Sequence, residues 1–513
     1  MTGRRRTGLL IPLFSIPATT SWGIGDIGDI EAIAAWLADA RIGVLQLLPI
    51  NEMAPGQQSP YSAISAMAID PIFIRVPDVP DYERSPRDGV GDTPEINYRD
   101  VRRVKYDALR RAFDRFYRDE WSRNSDRAAE LRAFTAQQAW WVEDYSLFRA
   151  IHAREEERPW TAWPEALRQR EPSAIDEIRH ALARDIVFYQ YLQWIAATQW
   201  TRARDAARAR GVQLYGDLPF MVDGDSADVW ARQYQFHMDV TIGAPPDAFS
   251  ATGQDWGNPL YRWDVLEREN FRWLRERARR SADLYDGFRI DHLVGFYRTY
   301  GNPKDGRPPF FTPADEGSQL ALGERVMHVF REPGADIIAE DLGTVPDFVR
   351  ASLARLEIPG FRVFRWERHW HADGQPFREP TEYPPVSVAT SGTHDTEPLA
   401  IWWDHASDDE RTKVGWLPTI RRIANGRDIA QAPFNPDVRD IIIEALFASA
   451  SDLVLLPIPD VFGWSDRINQ PATVDDKNWT YRLPWPSDRL NDIPDARDAQ
   501  QRLRAWADRY GRS

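Results

Sequence analysis

The sequence predicts an α/β fold, a (β/α)8 TIM barrel with helical and loop insertions between its strands and no separate C-terminal domain. Three short apolar runs carry this reading. Residues 287–295 hold Arg289, Asp291 and His292 behind Phe288 and Ile290; residues 336–343 run into Glu340 and Asp341; residues 387–396 run into His394 and Asp395. Helical-looking segments separate them, which is the repeat of a barrel whose site is built from strand ends. Charged side chains at a buried strand end are costly unless they pair or do chemistry. For the first run alone, an Arg–Asp pair capping an ordinary strand explains the residues equally well. Recurrence at three strands favours a catalytic rim. The second observation is size: 513 residues with 43% hydrophobic content suffice for a large core and insertions around it.

The elements follow in order. Residues 9–17 read as a strand or an extended lead-in. Residues 22–29 contain three glycines, but their spacing is not GxGxxG and Asp26 and Asp29 would repel phosphate. A turn leading into a capped helix over 30–40 accounts for them better. Residues 42–49 form a buried strand, counted as the first of the barrel. The polar loop 59–66 places Tyr61 over the rim, although a tyrosine packing that loop on the barrel would look the same. An apolar strand resumes at 70–74. Residues 77–211 carry long charged helices with aromatic stripes at 98–121, 128–154 and 176–210, an all-helical insertion whose stripes read as core.

Residues 212–219 form a strand that ends at Asp217. Asp223, Asp225 and Asp228 lack the glycine and final glutamate of a calcium loop, so no metal is expected. The Gly/Pro-rich stretch 243–259 holds Gln254 and Trp256 and is a candidate lid loop. Strands six, seven and eight fall at 361–366, 386–392 and 452–457. A second lid segment, 459–482, lies over the same rim, and a helix over 495–510 closes the chain. The chain therefore divides into 1–76, the insertion 77–211, and the remainder of the barrel, 212–513.

Composition excludes several classes. With no cysteine, disulfides and thiolate metal sites are absent, and the net charge of −14 argues against a nucleic-acid partner. No apolar run reaches the ~18 residues of a membrane span. Residues 1–20 lack the cleavage pattern of a signal peptide, so a cytoplasmic location is expected. The 22 tryptophans suit stacking on sugar faces, but large cores also use them. Three acids on one rim suit glycosidic-bond chemistry.

As a set the motifs resemble the 4-α-glucanotransferases (amylomaltases, or disproportionating enzymes), glycoside hydrolase family 77 of the α-amylase clan. The resemblance runs through Ser21-Trp22-Gly23-Ile24-Gly25-Asp26, Ser59-Pro60-Tyr61-Ser62 and Tyr215-Gly216-Asp217-Leu218-Pro219. It continues through Gly253-Gln254-Asp255-Trp256-Gly257-Asn258-Pro259, Arg289-Ile290-Asp291-His292, Ala339-Glu340-Asp341-Leu342-Gly343 and Gly392-Thr393-His394-Asp395. It implies a retaining transfer of α-1,4-glucan segments through a covalent β-glycosyl-enzyme. Asp291 would be the nucleophile, Glu340 the acid/base, and Asp395 the group that binds sugar hydroxyls and steadies the oxocarbenium-like state. Arg289, His292, His394, Tyr61, Asp217, Gln254, Trp256 and Asn469 would bind sugar. The implied partners are maltooligosaccharides, glycogen- or starch-derived glucans and a glucose acceptor, with no cofactor.

The sequence also departs from the family pattern. Beyond Asp395 the family usually reads Asn-Asp-Thr, where this chain has Thr396-Glu397-Pro398. Its sixth strand usually reads Lys-Val-Leu-Gln-Phe, where this chain has Arg362-Val363-Phe364-Arg365-Trp366. Residues 458–471 lack the family's Gln-Asp-Leu-Leu-Gly and Pro-Gly spacing. These departures bear on glucan length and on the balance of transfer to hydrolysis. An α-1,4-glucan hydrolase and a non-catalytic glucan-binding barrel stand as alternatives.

Overall fold

The computed structural model describes residues 5–86, 88–90, 93–246, 253–471, 473 and 475–512. Eight short, buried strands pair in parallel and close on themselves: β1 (Arg6–Leu10), β2 (Val44–Gln46), β3 (Gln213–Leu218), β4 (Gly287–Ile290), β5 (Asp336–Ala339), β6 (Gly360–Val363), β7 (Ser387–Thr390) and β8 (Leu453–Pro457). Sequence neighbours pair throughout, and β1 pairs with β8 from Arg6↔Leu453 to Leu10↔Pro457. The strands are buried on both faces, as parallel strands between a filled interior and an outer layer of helices must be, and the polar residues they hold, such as Gln46, Asp217 and Arg289, are buried with them. Val44, Tyr215, Ile338, Phe361, Val388 and Leu455 share one apolar cluster inside this ring. At its N-terminal end Asp336 accepts from Tyr215 Oη and pairs with Arg6 at 3.1 Å, so buried charge there is neutralised and serves stability.

Two expectations about strand order are corrected. The first barrel strand is Arg6–Leu10, and 42–49 supplies the second. Residues 70–74 form a 3-10 turn, Pro71–Phe73, instead of a strand. Pro71 has no N–H to give a ladder, and Asp70 caps the turn by accepting from Ile72 N. From the third strand onward the expected strands fall where strands are observed, except that the sixth, expected at 361–366, ends at Val363 and continues as a 3-10 turn over Phe364–Trp366.

Between β2 and β3 the chain forms helices that include Tyr98–Asp119, Asp126–Gln137, Ala139–Arg154, Pro172–Ala181 and Ala183–Ala209. Their aromatic residues are core: Phe113 meets Phe188 at 5.2 Å and Phe116 meets Tyr191 at 4.9 Å between ring centres. Glu52, fully buried in the loop after β2, accepts from Tyr106 Oη and Arg149 Nε, each at 3.0 Å, and from Tyr145. A buried carboxylate with three donors ties these helices to the barrel rim.

Of the stretch 243–259, expected to be a loop, the described residues are mostly strand. Gln254–Tyr261 pairs antiparallel with Phe236–Ala244 in a four-stranded sheet completed by Thr299–Pro303 and Phe310–Thr312. Its glycines mark irregular pairing: a Cβ on Gly243 would lie 1.7 Å from the Gln254 carbonyl. Residues 247–252 of the expected lid lie outside the described residues. Among the described residues no helix is long and apolar enough to cross a membrane.

Candidate active site

The carboxyl ends of β3, β4, β5 and β7 carry the charged cluster. Asp217 pairs in register with Arg289, and Ile290 with Ala339, so Asp291 and Glu340 leave adjacent strands side by side. Neighbouring strands lie about 4.8 Å apart. Arg289 and Asp291, two residues apart on one strand, project to the same side. Arg289 Nη1 sits 2.8 Å from Asp291 Oδ1 and donates to both oxygens of Asp217 at 2.9 and 2.8 Å. One buried guanidinium thus serves two carboxylates, while the Asp291 side chain stays 29% exposed and open to the cleft.

Glu340 is held differently. Its Oε2 accepts from His292 N at 2.8 Å and its Oε1 from Leu342 N at 2.9 Å. Burial, with the nearby Asp291 charge adding to it and Arg289 opposing, pushes its carboxyl up to about 7. The site therefore pairs one carboxylate salt-bridged to arginine with one that holds a proton near neutrality. Groups whose environments differ in this way can divide acid and nucleophile roles. His292 adopts the left-handed region (φ 43°), which turns its ring against Trp256, 4.8 Å between centres and edge-to-face. Burial pulls the His292 imidazole down to about 4, so it is neutral above pH 5.

Tyr61 Oη donates its single proton to Asp217 Oδ2 at 2.7 Å, and His394 Nε2 lies 3.0 Å from Tyr61 Oη. The proton on Tyr61 is already used, so Nε2 must be the donor, which fixes the His394 tautomer. The two rings stack at 5.6 Å and 17°. Asn469 Nδ2 donates to Asp395 Oδ1 at 2.6 Å, and Arg467 donates to the Asp395 carbonyl at 2.8 Å. Asp395 has a side chain 40% exposed and 3.4 Å from His394 Nε2.

The fold brings Arg289, Asp291, Asp217, Glu340 and His292 together through β3, β4 and β5. It joins Tyr61, His394, Asp395 and Asn469 to them from the loops after β2, β7 and β8. Gln254 and Trp256 reach the same rim from the second sheet, where Trp256 Nε1 donates to Gln254 Oε1 at 3.1 Å. Two neighbours escaped sequence reasoning. Trp479 packs against both Tyr61 and His394, at 5.7 and 5.9 Å, and holds a left-handed backbone (φ 67°) unusual for so bulky a residue. Its carbonyl accepts from Tyr98 Oη at 2.8 Å, a link from the inserted helices to the site. Arg467 is the second. Both lie in the segment 459–482 expected over the rim, but nothing local marked either one.

Comparison with known proteins decides the family. The family model described as glycoside hydrolase 77, 4-alpha-glucanotransferase, matches residues 11–488. The chain belongs to glycoside hydrolase family 77. Relatives of this family-77 chain include the 4-alpha-glucanotransferase of Thermus thermophilus, 33% identical over 93% of this chain and 95% of that one. That of Chlamydia pneumoniae is 30% identical over 93% and 91% respectively. Among solved structures, the amylomaltase from Streptococcus agalactiae in complex with acarbose superimposes with a TM-score of 0.85 at 25% identity, covering 99% of this chain and all of that one. The family-77 barrel and its charged rim thus agree with the (β/α)8 reading.

Proposed function

We propose that this family-77 chain is a 4-α-glucanotransferase that acts on α-1,4-glucans by retaining double displacement. The observation that carries the mechanism is the contrast on adjacent strands between Arg289-paired Asp291 and Glu340 with its carboxyl raised to about 7. A retaining enzyme needs its two carboxyls ~5–5.5 Å apart, close to the spacing of neighbouring strands. An Asp291 oxygen attacks C1 of the donor sugar while Glu340 gives its proton to the departing O4, and the C1–O4 bond breaks. The 4-OH of an acceptor glucan or glucose then loses its proton to the Glu340 carboxylate and attacks C1, and Asp291 leaves. Asp395, oriented by Asn469, accepts hydroxyls of the reacting sugar and faces the positive charge that develops at C1. Tyr61 and His394 form one wall, and Trp256 offers its face on the acceptor side. The Arg289–Asp217 pair supplies the fixed charge around Asp291.

Maltotriose alone tests this reading. A ladder of longer maltooligosaccharides with glucose released is expected. Glucose and maltose without longer chains would make the protein a hydrolase, and binding without turnover would leave a glucan-binding barrel. Two further outcomes follow from the geometry. The transfer rate should fall as pH rises through about 7, because Glu340 must carry its proton when the donor bond breaks. His292, already neutral, should add no limb above pH 5; a pH profile of kcat/KM checks both. Asn469→Ala should lower kcat roughly ten- to hundredfold, the rate equivalent of about 1.5–3 kcal/mol for a hydrogen bond to a charged group. Initial rates on maltotriose read this out.

A further inference from the structure

Two of the positions where the sequence departs from the family pattern, Arg365 and Glu397, stand 32 residues apart in the chain. The fold brings them together: Arg365 Nη1 lies 3.7 Å from Glu397 Oε1. Arg365 follows the carboxyl end of β6 and is buried, its side chain 4% exposed. Its Nη2 donates to the Ser391 carbonyl at 3.2 Å, and its guanidinium lies 5.4 Å from the Trp402 ring centre. Burial pulls the guanidinium down, and Asp460 and Glu397 oppose this.

These contacts converge on the segment 391–399, which forms an arch. At its base Ser391 Oγ donates to Asp460 Oδ2 at 2.6 Å, and Leu399 N donates to Asp460 Oδ1 at 2.7 Å. His394 and Asp395 sit at its crown. Asn469 and Arg467 hold Asp395 from the segment after β8, and Arg365 reaches both arms of the arch, through Ser391 and through Glu397.

We infer that Arg365 and Glu397 are a positioning pair that fixes the arch, and so aims the Asp395 carboxylate at the sugar undergoing displacement. The inference rests on the transferase reading above. The pair acts through Asp395. A tilt of the arch misaims Asp395, and misplacement by about 1 Å can cost on the order of a hundredfold in rate. The effect belongs in kcat, because the rest of the sugar-binding surface is untouched.

The test uses α-maltosyl fluoride, whose fluoride release reports the first displacement directly. Arg365→Gln and Glu397→Gln should each lower kcat about tenfold or more with KM within roughly twofold. The double variant should fall no further than the worse single one, since either change releases the same arch. Arg365→Lys and Glu397→Asp, which keep the charges, should recover part of the loss. Where Arg365→Gln does not fold, Glu397→Gln against Glu397→Asp decides, because the Glu397 side chain is 32% exposed. An unchanged kcat in folded Glu397→Gln, or single losses that multiply in the double variant, would overturn the pair. No fluoride release by the unsubstituted chain would instead count against the transferase reading itself.

Discussion

Asp291→Asn should remove transfer almost entirely, lowering kcat by on the order of 10⁴–10⁶-fold, as loss of a nucleophile that acts in a unit does elsewhere. An amide cannot form the glycosyl ester. The fold should survive, because Arg289 keeps its two contacts to Asp217 and is not left as a buried, unpaired cation. Thermal unfolding near that of the unsubstituted protein, with no ladder from maltotriose, is the expected pair of results. Asp217→Asn should behave in the opposite way. It removes the fully buried carboxylate that takes two of the Arg289 contacts and leaves only the partly exposed Asp291 to balance the guanidinium, so thermal stability should drop.

Glu340→Gln should lower kcat on maltotriose about 10²–10⁴-fold, the usual contribution of general acid–base catalysis. The alkaline fall near pH 7 should vanish with it, since the titrating proton is gone. With α-maltosyl fluoride, whose leaving group needs no proton, the first displacement should be largely spared and the second slow. A burst of fluoride followed by a slow steady rate is therefore expected. Some stability should also be lost. Both Glu340 oxygens accept backbone N–H groups, and glutamine offers one oxygen where two are used, which leaves one part-buried donor without its partner.

The rim was legible because strand geometry is local. Arg289 and Asp291 had to share a side, and their 2.8 Å contact follows from a two-residue spacing on one strand. The strand count slipped where long-range pairing overrides local pattern. Residues 9–17 read as a strand or a lead-in, and Arg6–Leu10 becomes the first barrel strand only because β8, more than 440 residues later, supplies its partner. Residues 70–74 are as apolar as a strand, yet Pro71 and the Asp70 cap turn them into a 3-10 segment. Trp479 and Arg467 had no local signature, since their places depend on how the segment after β8 folds back over Tyr61 and Asp395. The sequence marked Arg365 and Glu397 only as departures; their proximity is a tertiary fact.

Retaining transfer requires a covalent glycosyl ester at Asp291. A 5-fluoro-α-glucosyl fluoride slows both displacements, and a good leaving group lets the intermediate accumulate. Incubating the protein with it, digesting and sequencing the labelled peptide by mass spectrometry should place one glucosyl adduct on the peptide Phe288–Asp291, at Asp291, with release on adding maltose. An unlabelled Asp291 alongside continued turnover of maltotriose, or an adduct on Glu340 or Asp395, would contradict it.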